Sequence, residues 1–132
     1  MNATITLTDQ DKTTLRTAAY GAVALIAAAG APHKAVSHGT IALTSATGLV
    51  GHVLSAKSRD IRLPGKTVAE LADTVLPSLT AAVVALAACP AEAANFRDTV
   101  LIAIEPATHA AKGAPLPAVT AMAAKIAGAL EV

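Results

Sequence analysis

His38 and His52 bracket an uncharged stretch, SHGTIALTSATGLVGHVL, and imidazoles are the side chains best suited to bind metals or move protons near neutral pH. On one helix, a separation of 14 residues puts them within about 40° of each other around the axis but roughly 21 Å apart along it. They cannot share an ion, and each would need donors from another segment. A zinc-protease helix carries its two histidines four apart, and no such pair occurs. Either ring could still reach a cavity between helices and meet a small molecule, a haem or a metal. Glu105 and His109 are four apart and share a face with Asp98 if their helix continues past Pro106. Carboxylate-bridged metal bundles use Glu and His three apart, with further glutamates from other helices. The remaining glutamates here are Glu70, Glu92 and Glu131, and a solvated face is the simpler reading. His33, beside Pro32, should lie exposed at a loop.

No nucleophile is assembled by spacing. Cys89 precedes Pro90 and reads as a small hydrophobe at a helix end, because a catalytic thiol needs a neighbouring base. Ser37 and His38 would diverge by about 100° on a helix, and there is no G-x-S-x-G elbow. The run PGKT lacks the upstream glycine of a phosphate loop, since position 60 is Asp60. Around it, Lys57, Arg59, Arg62 and Lys66 face only Asp60. Four clustered cations can hold an anion or an acidic patch on a partner, or can simply be a solvated loop. The expectation is a protein that is not an enzyme and carries no cofactor.

Composition narrows the partners. Formal net charge is +1, and only Tyr20 and Phe96 are aromatic. There is neither a basic field nor a stacking platform for nucleic acid. A single cysteine excludes an internal disulfide and a zinc knuckle. The opening MNATITLTDQDK is polar and acidic where a signal peptide is basic and then apolar, which leads us to expect a cytoplasmic protein. Residues 35–56 are uncharged over a length that could span a bilayer. They include two histidines and six Ser or Thr, so the apolar drive is weak and no membrane is expected.

The elements that must position these residues are helices. Hydrophobic residues make up 54% of the chain, dominated by alanine, the strongest helix former. Thr8 should cap a first helix, with Asp9 and Asp11 in its first turn and Leu15, Ala19, Ala22, Ile26 and Ala29 on one face. Gly30 and Pro32 end it. A second helix runs from residue 36 to 57. Its two histidines lie with Ile41, Leu49 and Val53, while Leu43, Val50 and Leu54 form another face. Thr40, Thr44, Thr47 and Gly51 make a smooth stripe, so this helix, apolar or small nearly all round, should be central. Thr67 and Glu70 fit a capping box opening a third helix. Its stripe is Val68, Leu71, Ala72, Val75, Leu79, Ala82, Val83 and Leu86, with Glu70, Asp73 and Pro77 opposite. Pro77 should kink it. A fourth helix starts near Pro90 and includes TVLIAI, with Phe96, Thr99, Val100 and Ala103 on one face. A fifth spans about 118–130, with Val119, Met122, Ile126 and Leu130 inward. GAPHKAVS and GAPLPAVT, at 30–37 and 113–120, echo each other as Gly-then-Pro helix junctions.

The fold expected is all-α: one domain over residues 1–132, a compact bundle of about five mostly antiparallel helices with 36–57 at the centre. The function expected is association with another protein or with itself, because Ala81, Val84 and Ala88 would leave an apolar outer face. The alternative is a ligand-binding bundle using His38 or His52.

Overall fold

The computed structural model describes residues 7–31, 33–55, 67–108 and 117–131. Among the described residues there are six helices and no strand: α1 (Asp9–Ala28), α2 (His33–Thr44), α3 (Gly48–Ser55), α4 (Val68–Ala85), α5 (Pro90–Thr108) and α6 (Pro117–Leu130). The cationic loop of Lys57, Arg59, Arg62 and Lys66, and His109, lie outside the described residues.

Local signals place several of the helix ends. The Thr8 hydroxyl accepts from the Asp11 N–H at 3.0 Å, and the Asp11 carboxylate accepts from the Thr8 N–H at 3.1 Å. This reciprocal box satisfies two donors that a helix start leaves bare. Gly30, at φ 116°, ends α1 in a conformation that only glycine adopts freely. At α4 the Thr67 hydroxyl accepts from the Glu70 N–H at 3.1 Å. The Glu70 carboxylate takes the Thr67 hydroxyl rather than its backbone, so this box is only half formed. α5 enters through Pro90 and passes through Pro106 to Thr108, so TVLIAI is helix.

The central element is α1. Leu15 through Ala19, Gly21 through Val23, Leu25 and Ile26 are all buried, and α1 touches every other helix. Its long run of alanine and glycine lets neighbours approach on all sides. The stretch 36–57 is not the centre and is not one helix. It breaks after Thr44 and restarts at Gly48. His38, Thr40, Ile41 and Thr44 on α2 face outward, and Leu43, Val50, Val53 and Leu54 point inward. Neither piece has the roughly 20 residues needed to cross a bilayer. The threonines of α2 bond the turn before them, Thr40 to the Val36 carbonyl and Thr44 to that of Thr40.

The core is continuous and aliphatic around a single ring, Phe96, with Leu15, Leu25, Leu43, Leu54, Leu79 and Leu86 also fully buried. On α4, Val75, Leu79, Ala82 and Val83 are buried, while Glu70, Asp73 and Pro77 are exposed. α6 buries Val119, Met122, Ile126 and Leu130. The Thr80 hydroxyl of α4 donates to the Ala129 carbonyl at 2.8 Å and so satisfies one of the bare acceptors at the end of α6. α4 is also, among the described residues, the one helix long and apolar enough to cross a membrane. In this fold it packs on α1, α5 and α6.

Candidate functional site

Four polar side chains, two from α1 and two from α5, converge on the segment that holds α3. Asn95 Nδ2 donates to the Thr47 carbonyl at 2.8 Å, and the Val50 N–H donates to Glu92 Oε1 at 3.2 Å. Asn95 Nδ2 also lies 3.4 Å from Glu92 Oε1, and the Thr99 hydroxyl donates to Asn95 Oδ1 at 3.3 Å. Glu92, Asn95 and Thr99 are three and seven residues along α5, which puts them on one side of it. At the other end of α3, the Tyr20 hydroxyl donates to the Leu54 carbonyl at 2.6 Å, and Arg16 Nη1 sits 3.5 Å from the Val53 carbonyl.

This arrangement follows from the needs of a short helix. An eight-residue helix leaves nearly all its terminal donors and acceptors bare. Here a carboxylate meets its positive N-terminus and a guanidinium its negative C-terminus, the favourable sense at both ends. All four contacts with other helices are to backbone atoms from Thr47 to Leu54, so they hold the segment whatever side chains it carries. Burial raises the Tyr20 phenol above its ordinary pKa, and the nearby Arg16 charge partly offsets this.

A second feature lies on the outside of α2 and α5. Gly39 packs against Ala103: a Cβ at Gly39 would stand 2.5 Å from the Ala103 carbonyl oxygen. With Thr47 bonded to Asn95, the chain from 39 to 47 runs opposite to α5. Beside this contact Ile41 is 62% exposed and Ile102 57% exposed. A shallow groove of about 320 Å³ lies beside Ile102, lined also by Ala42, Ser45, Ala46, Thr47, Asn95 and Thr99. On the far side of α5 a similar groove of about 310 Å³ is lined by Leu101, Ile104, Glu105 and alanines of α6. Leu101 and Ile102 thus form a ridge between two grooves floored by small residues.

The residues singled out from sequence are not brought together. His38 and His52 are both exposed and lie on different helices. Among the described residues no group of three or more His, Cys, Asp and Glu could hold a metal. Glu105 and Asp98 are exposed on α5, and Cys89 is half-buried at the corner before it. The residues that do converge, Arg16, Tyr20, Glu92 and Asn95, escape sequence reasoning. The one faint signal is the three-and-seven spacing of Glu92, Asn95 and Thr99 beside the apolar face of Phe96 and Val100. Comparison with protein-family models, with curated proteins and with solved structures finds no match.

Proposed function

We propose that the protein acts by association rather than catalysis, and that the surface it uses is the ridge of Leu101 and Ile102 with the grooves beside it. The supporting observation is the exposure of Leu101 and Ile102, each on the edge of a groove along α5. Large aliphatic side chains standing together in water are the usual mark of a contact surface. The occupant we favour is a second copy of the chain. A ridge flanked by grooves is complementary to itself under a two-fold axis, so the same patch serves both partners. The outer face of α4 exposes Ala81 and Val84, with Ala88 in the turn that follows, and of these only Val84 is larger than alanine.

Sedimentation velocity across a range of concentrations tests this reading. The wild-type chain should dimerise. Ile102→Asp should weaken that dimer about tenfold or more, because an interfacial isoleucine contributes roughly 1.5–3 kcal/mol. Val84→Asp, on α4, should leave it unchanged. A wild-type chain that stays monomeric at high concentration, or a dimer that Val84→Asp abolishes and Ile102→Asp spares, rejects the proposal.

A further inference from the structure

The bend between α2 and α3 is set by two glycines and by side chains reaching it from α5. Ser45, Ala46 and Thr47 separate the two helices, yet all three residue types are tolerated inside helices. The bend depends instead on Gly48, at φ 71°. It depends also on Gly51, where an added Cβ would run into the Ala46 carbonyl. Asn95 and Glu92 then grip Thr47 and Val50 from α5. Without those grips, residues 36–55 have the composition of a single uncharged helix.

We propose that residues 45–48 form a hinge with two settings, and that in the second α2 and α3 fuse into one helix while two copies of the chain exchange α1 and α2. In the exchanged pair, α1 and α2 of each copy seat on α4, α5 and α6 of the other. The contacts of α1 with α4 and of α2 with α5 re-form between copies, Gly39 on Ala103 among them. No new surface is required, which is why element exchange is a low-cost route to a dimer. α3 stays beside its own α5 and receives Arg16 and Tyr20 from the other copy. Straightening forfeits the bonds of Glu92 and Asn95 to the bend and gains helical bonds across it. The exchange does not use the outer ridge of α5 and stands apart from the association proposed above.

The test is to refold Gly48→Ala and the double variant Gly48→Ala/Gly51→Ala from denaturant at high protein concentration, then to separate species by size with light scattering. Both changes favour a straight helix and disfavour the bend, so the double variant should hold about tenfold more dimer than wild type. That dimer should persist after dilution, because returning to monomer requires unfolding. Mixed isotope-labelled and unlabelled dimers should form hybrids, seen by native mass spectrometry, only after a cycle of unfolding. Ile102→Asp should not remove this species, whereas it removes a dimer made through the outer face. Should the double variant fail to fold, Gly48→Ala carries the comparison, since its methyl meets first the Glu92 carboxylate at 2.9 Å, the end of a flexible side chain. A folded Gly48→Ala that is monomeric at every concentration overturns the proposal, as does a dimer that dissociates on dilution.

Discussion

Tyr20 is the residue where burial, hydrogen bonding and protonation meet. Its hydroxyl is the donor for the Leu54 carbonyl at 2.6 Å, so only the neutral phenol can make the bond. Burial raises its pKa and Arg16 works against that rise. A raised folded value means that the stability linked to this group is fully present below the unfolded phenol pKa of roughly 10. It is lost as pH climbs through the higher folded value. The chain has one tyrosine and no tryptophan, so the ultraviolet absorbance of phenolate reports Tyr20 alone. We expect ionisation above the ordinary phenol range in the folded protein and a return to it in denaturant. Tyr20→Phe should cost about 1 kcal/mol near neutral pH and abolish the alkaline step in stability attributable to this group. A folded-state titration at or below that of the denatured chain would exclude this account. Arg16, buried beside it, escapes sequence reasoning because a charged residue one step from Leu15 reads as the polar edge of a helix. Its burial follows from α1 being surrounded and from the negative end of α3 lying against it.

Among elements, the pairing of α2 with α5 depends most on one small residue. Gly39 lets α2 lie directly on the α5 backbone, where even a methyl group would stand 2.5 Å from the Ala103 carbonyl. That neighbour is backbone and cannot swing aside, so the helices must separate. Gly39→Ala should therefore lower stability by about 1–3 kcal/mol, although the same change in an exposed helix would raise it. Urea unfolding monitored by circular dichroism measures this, and a variant as stable as wild type would show that the two helices do not meet there. Gly128 offers the contrast, because a Cβ placed on it meets no neighbour within 4 Å beyond its own stretch of helix.

At the scale of the molecule, α1 holds the others together. It is buried along most of its length and meets all five remaining helices, while α3 is only eight residues long, burying Val50, Val53 and Leu54 and held at its ends by polar contacts. Hydrogen exchange should rank the two accordingly. Amides of Leu15 to Ile26 should exchange only with global unfolding, and those of α3 should open earlier in a local step. Equal protection of α3 and α1 would contradict this ranking. If the outer ridge pairs two copies, thermal stability should also rise with protein concentration.

The helical class, the Thr8 and Thr67 caps, the glycine stop at Gly30 and the buried stripes of α4 and α6 were all readable from the chain, because each depends on residues within about two turns of one another. Continuity of the 36–57 rod, its central place and the role of its histidines were not. Val53 meets Arg16 across 37 positions, Val50 meets Glu92 across 42, and Thr47 meets Asn95 across 48. Whether an apolar run stays straight or folds back depends on such distant groups arriving together. That happens only when the whole chain packs, and local periodicity carries no record of it.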